Sequence, residues 1–103
     1  MPCYLVQARP RKGKLEELKT RLLLGEIRTM RPFGTALDES LRGARVREDG
    51  LLVWEEQDYC VPPLAMERAA VLDDYFSEMV VEPVQKGQCW KQIAGLPYLW
   101  SLS

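Results

Sequence analysis

An α+β sandwich, with two helices laid on one face of a four-stranded antiparallel sheet, is the fold this sequence predicts. Three observations carry the prediction. The elements run strand, helix, strand, strand, helix, strand, the split βαβ order. The turn signal Glu48-Asp49-Gly50 joins two β-favouring runs and makes the middle strands a hairpin. From Leu64 to Met79 the residues Leu64, Val71, Leu72, Tyr75, Phe76 and Met79 form an apolar stripe, as one buried helix face requires. With 103 residues the chain has room for one core and therefore one domain, expected over 1–95, followed by an apolar tail over 96–103.

The first strand is expected over Cys3 to Arg9, where Tyr4, Leu5, Val6 and Ala8 are apolar and Pro10 stops the run. Arg11-Lys12-Gly13 then reads as a basic loop. The first helix is expected over Lys14 to Leu24, with Leu15, Leu18 and Leu22 on one stripe and Gly25 as terminator. Its acids come early and its bases late, as the helix dipole favours. Glu26 to Arg31 reads as a short strand ended by Pro32. The run from Phe33 to Gly43 reads either as a short helix, with Leu37 and Leu41 one turn apart, or as a bulged strand. A loop carrying some local structure is the preferred reading.

Ala44 to Arg47 is expected to pair with the strand that begins at Leu51. Alternation along that strand places Leu52, Trp54, Glu56 and Asp58 on one face and Leu51, Val53, Glu55, Gln57 and Tyr59 on the other. Pro62-Pro63 closes it, and Pro63 suits a first helical turn because its missing N–H is not needed there. Pro83 follows the second helix, and Gln88 to Ile93 reads as the last strand after a Lys86-Gly87 turn. Gly95 and Pro97 break the chain before Tyr98-Leu99-Trp100.

This order is that of a ferredoxin-like sandwich, with both helices on one sheet face. The opposite face then carries some of Tyr4, Val6, Trp54, Cys89 or Trp90, too apolar to face water. Two copies packed face to face cover it, so a homodimer is expected, with the tail from Leu96 to Leu102 in the contact.

Leu24-Gly25-Glu26-Ile27 after the first helix, a hairpin strand ending in acids, and Leu72-Asp73-Asp74-Tyr75-Phe76 late in the second helix form a recognisable pattern. Over roughly Tyr4 to Ile93 the chain resembles the dimeric α+β barrel superfamily, and within it the YciI-like proteins and their monooxygenase-like relatives. The resemblance implies a cavity between sheet and helices that holds small organic molecules, and chemistry that in several members needs no metal or cofactor. YciI-like proteins carry a proposed His-Asp pair. This chain contains no histidine, so that pair does not transfer.

Composition narrows the function classes. Fourteen Lys and Arg against 15 Asp and Glu leave a net charge of −1, which gives no field for holding nucleic acid or an anionic membrane. No apolar run reaches the roughly 20 residues that span a bilayer. Met1-Pro2-Cys3-Tyr4 lacks a signal peptide's basic and apolar regions, so a cytoplasmic location is expected. Cys3, Cys60 and Cys89 are odd in number and widely spaced, which speaks against a disulfide framework and against a zinc-ribbon spacing. No metal or cofactor is expected. The absence of histidine removes the usual neutral-pH base and every Ser-His or Cys-His nucleophile.

The chemistry-bearing residues concentrate where the hairpin strand meets the second helix. Glu56 and Asp58 are the candidate bases, because a carboxylate enclosed beside Trp54 gains basicity, and Tyr59 is the candidate hydrogen-bond donor. Cys60, before a helix, and Glu67, one turn into it, are candidate ligand contacts, with Arg45 or Arg68 as counter-charge. The bland alternatives are a solvated strand end, a helix cap, a packed cysteine and an ion-paired surface. Arg28, Arg31, Arg42, Arg45 and Arg47 form a second possible anion site, and no phosphate-loop motif is present. Two functions follow: a dimeric module binding a small ligand or partner in the junction cleft, or a cofactor-independent enzyme using a carboxylate base.

Overall fold

The computed structural model describes residues 2–100. Its sheet is four-stranded and antiparallel throughout, in the order β2-β3-β1-β4, formed by β1 (Cys3–Pro10), β2 (Arg45–Val46), β3 (Leu52–Gln57) and β4 (Phe76–Val84). This is the strand order of the ferredoxin-like α+β fold. The β2–β3 hairpin forms as expected, pairing Arg45 with Val53 and Val46 with Leu52. Gly50 takes φ 85° in its turn, and Asp49 Oδ1 accepts the Leu51 N–H at 3.1 Å.

One sheet face carries the main core. Val6, Ala8, Leu52 and Trp54 from the strands pack against Leu18 and Leu22 of α1 (Leu15–Leu23). They also meet Leu37 and Leu41 of α2 (Gly34–Arg42), and Val71, Leu72 and Tyr75 of the helical stretch Ala65 to Tyr75. That stretch consists of α3 (Ala65–Glu67), a π-helical turn (Arg68–Leu72) and α4 (Asp73–Tyr75). Trp54 and Phe76 stack as tilted rings 5.3 Å apart at its centre. Tyr4, Val6 and Trp54 therefore belong to the helix-covered face, not to an open one.

Four segments differ from the sequence expectation. Glu26 to Arg31 is a run of turns, with Thr29 Oγ1 donating to the Glu26 carbonyl at 2.9 Å and Ile27 buried in the core. The following segment is a helix rather than a loop. The i,i+4 pair Asp38–Arg42 closes at 2.8 Å beside the Leu37–Leu41 pair, so buried and polar sides both follow helical spacing. The second helix ends at Tyr75, not Met79, because Phe76 to Val84 pairs along β1 from Pro10 to Cys3. A bulge between Gln7 and Arg9 accommodates this register, with Glu78 at φ 52° and bonded to Arg9 at 2.7 Å. Gln88 to Ile93 is no strand: the place beside β1 is already filled, and Gln88–Gln92 forms α5.

α5 lies on the face away from the main helices. There Cys89 and Ile93 pack on Val53, with Leu5, Val84 and Leu96 around them. The tail turns back on its own domain: the Val46 N–H reaches the Pro97 carbonyl and the Leu99 N–H the Ala44 carbonyl, both at 2.9 Å. Trp100 Nε1 donates to the Leu41 carbonyl at 2.7 Å. The tail thus borders β2 within one chain, and its residues 101–103 lie outside the described part.

Candidate functional site

β3 sends neighbouring carboxylates to opposite faces at its polar exit. On the helix face, Trp54 and Glu56 stand two residues apart, and the indole Nε1–H donates to Glu56 Oε1 at 3.0 Å. Glu56 is 1% exposed, and its Oε2 has no hydrogen-bond donor. Glu67, brought in by α3, is equally buried, and its Oε2 also lacks a donor. The two carboxyls are close enough for each to shift the other's protonation. Burial first, then the neighbouring Glu67 and Asp58, pushes Glu56 well above the ordinary carboxylate range, against the opposing pull of the Trp54 N–H. Burial likewise raises Glu67; the hydrogen bond from Glu56 lowers it and Asp58 raises it.

Asp58 organises the turn that follows. Its Oδ2 accepts the Cys60 N–H at 3.1 Å and the Leu64 N–H at 2.5 Å. The second bond holds Leu64 in the left-handed region, at φ 64°, just before the helix. Cys60 Sγ approaches Glu67 Oε1 at 3.9 Å. A backbone hydrogen bond with Met66 pulls the Cys60 thiol down, but desolvation and the Asp58 and Glu67 carboxylates outweigh it and leave it raised. One ligand atom each from Asp58, Cys60 and Glu67 lie within 4.8 Å of one another.

The fold therefore brings together Glu56, Asp58, Cys60 and Glu67, as their spacing on alternate strand positions and one helical turn suggested. It leaves the others apart. Tyr59 points away and is 67% exposed. Arg45 spends its Nη1 on the Ala94 and Leu96 carbonyls at 3.1 and 2.6 Å and stacks 3.7 Å over Tyr98. Arg68 faces Asp73 at 3.6 Å. Among the described residues neither arginine pairs with the buried acids, so their charge is not balanced from there.

On the opposite face, Glu55 reaches α5. Its carboxylate accepts the Gly87 N–H at 2.9 Å and the Cys89 N–H at 3.0 Å. Burial, reinforced by Glu55, pushes the Cys89 thiol up to about 11, while Arg47 opposes; it is a packed, unreactive thiol. Beside this contact lies a cleft of about 450 Å³, within the range of small-molecule sites. Its lining combines Glu55, Gln57, Ser40 and Glu39 with Lys86 and the Trp90 ring. Sequence reasoning missed Lys86 and Trp90, which it placed in a turn and a strand. The Lys86-Gly87 turn before a short apolar i,i+4 pair, Cys89 and Ile93, was the available signal.

No protein-family model, no curated protein and no solved structure matches this chain. The geometry is thus the whole basis for a functional reading.

Proposed function

We propose that the protein is a ligand-binding module of ferredoxin-like fold that takes a small organic anion, in the cleft between α2, the end of β3 and the start of α5. One observation carries this reading: the cleft's acids are already engaged, and its lysine is not. Glu55 is held by two backbone amides and Glu39 by Arg28 at 3.5 Å, whereas Lys86 has no ion-pair partner among the described residues. An ammonium beside an aromatic wall suits an aromatic carboxylate, its ring against Trp90 and its charge toward Lys86. The cleft lies across β3 from the strand–helix junction where the sequence placed it. The enzymatic alternative needs a substrate to reach Glu56 or Asp58, both buried, so binding without turnover is the reading supported.

Benzoate tests it. Titration calorimetry is expected to show saturable binding, and Lys86→Met, an exposed change, to weaken it at least about tenfold. Binding that is unchanged in Lys86→Met sinks the assignment.

The thiols of Cys60 and Cys89 support a reducing, cytoplasmic setting. A homodimer in this reading pairs over the part of the sheet that α5 leaves open, where Gln7 of β1 pairs with Val80 of β4, 44% exposed. Light scattering at micromolar concentration reports twice the chain mass if it forms.

A further inference from the structure

The second concentration of chemistry lies on the other face of β3 and does not depend on the cleft. Asp58, Cys60 and Glu67 offer one ligand atom each, all within 4.8 Å of one another. An acidic cluster alone says little. Here, however, Glu56 stands behind it with Oε2 buried and without a donor, close to Glu67, whose own Oε2 is also orphaned. Two buried acceptors without a donor call for something positive between them. Among the described residues no arginine or lysine pairs with them, and Arg45 and Arg68 are engaged elsewhere.

We propose that Asp58, Cys60 and Glu67 bind a zinc ion, with the free oxygen of Glu56 as fourth ligand or as its immediate support. The donor chemistry selects the ion. Carboxylates alone suit magnesium, calcium or manganese, but a thiolate in the set favours zinc among the cations that also accept oxygen. Zinc holds oxygen at about 2.0–2.2 Å and sulfur at about 2.3 Å, so side-chain rotation closes this trio into a tetrahedral shell. Asp58 is held in place for it, with Oδ2 fixed by two backbone amides. Access is from the Cys60 side, where that residue is half-buried and Tyr59 and Val61 are exposed. On binding, the Cys60 S–H proton is released to solvent and the thiolate binds Zn²⁺, so the step balances without another reactant. No spacing motif announces such a site, because two of the ligands come from one turn and the third from the next helix, with no CxxC pair.

The test uses the full chain freed of metal with a chelator and titrated with zinc chloride, followed by calorimetry, thermal unfolding and cobalt(II) substitution. The expected result is one zinc per chain, a higher Tm with zinc, no competition from magnesium, and a thiolate-to-cobalt charge-transfer band. Cys60→Ser is expected to abolish that band, and Cys89→Ser to keep it. Glu56→Gln is expected to keep the band and weaken zinc binding about 10–100-fold. Circular dichroism of each variant separates lost binding from lost folding. Wild-type protein that takes up no zinc overturns the proposal. A charge-transfer band that survives Cys60→Ser overturns it as well, because the thiolate is then another cysteine.

Discussion

Replacing Glu55 by alanine removes the contact that fixes α5 to the sheet. Its carboxylate is the acceptor for both Gly87 and Cys89 amides, at 2.9 and 3.0 Å. A buried donor left without an acceptor costs about 1–3 kcal/mol, and a hydrogen bond to a charged group contributes about 1.5–3 kcal/mol. The two amides are not equivalent. The Cys89 N–H is buried under Ile93 and Val53 and has no substitute acceptor there, whereas Gly87 lines the cleft, where water can replace the carboxylate. The expected loss for Glu55→Ala is therefore about 2–4 kcal/mol, a large part of the roughly 5–15 kcal/mol that holds a domain together. Glu55→Gln keeps one acceptor oxygen in place and should lose about half as much. Urea unfolding followed by tryptophan fluorescence measures both, with the slope unchanged and only the midpoint moved. If Glu55→Ala and Glu55→Gln unfold at the wild-type midpoint, the carboxylate does not hold α5, and the position of Gly87 and Lys86 in the cleft loses its explanation.

Glu56→Gln should act in the other direction. Its folded-state acidity is shifted upward, so the folded chain binds more protons than the unfolded one above about pH 4, and stability falls as pH rises toward the folded value. The amide cannot ionise and still accepts from Trp54; its urea midpoint should decline less between pH 5 and pH 8 than the wild type's, and parallel curves would refute the assignment. Gly34→Ala is expected to cost about 1–3 kcal/mol, because a Cβ there meets the Ile27 and Arg28 carbonyl oxygens at 2.5 and 2.7 Å. Gly43→Ala should cost less, since its Cβ meets only the edge of the Trp90 ring at 3.0 Å, a side chain that can shift; equal midpoints for the two variants would contradict this. Trp100→Ala loses the bond to the Leu41 carbonyl and should lower stability by about 2–3 kcal/mol without changing the mass seen in light scattering. A change of mass would show that the tail holds two chains together.

The elements that the sequence located well are those whose periodicity answers to one partner. The β3 alternation placed Trp54 with Glu56 and Val53 with Glu55 on the correct faces, because a strand with two covered faces still alternates. The stripe from Leu64 to Tyr75 gave the helix, since Val71, Leu72 and Tyr75 face one core. The stripe did not mark its end. Phe76 and Met79 fit helical spacing and strand alternation equally, and pairing with the open edge of the eight-residue β1 decided the matter. Gln88 to Ile93 failed for a related reason. A six-residue run with β-favouring Trp90 and Ile93 looks like a strand until its N–H groups find an acceptor in Glu55, 32 residues from Gly87. No local pattern carries that information. The convergence of Glu56, Asp58, Cys60 and Glu67 was legible because the turn between strand and helix is short. The cleft was not, because it is assembled from α2, β3 and α5, two of which the sequence did not show as helices.

Glu55 and Glu56 show why β3 organises this molecule. Both carboxylates are carried under cover by the same strand, where an isolated charge is costly. Glu55 meets two backbone amides, and the pairing fastens a helix to the sheet. Glu56 meets one indole N–H and then another acid, so one side of it is left without a donor. A structural role explains the first arrangement fully. It does not explain the second, since an apolar residue or glutamine at position 56 would pack there without the penalty. A chain that retains two facing buried acids beside a half-exposed thiol holds a place for a positive occupant, a proton at least and, with Cys60 and Asp58 in reach, a metal ion.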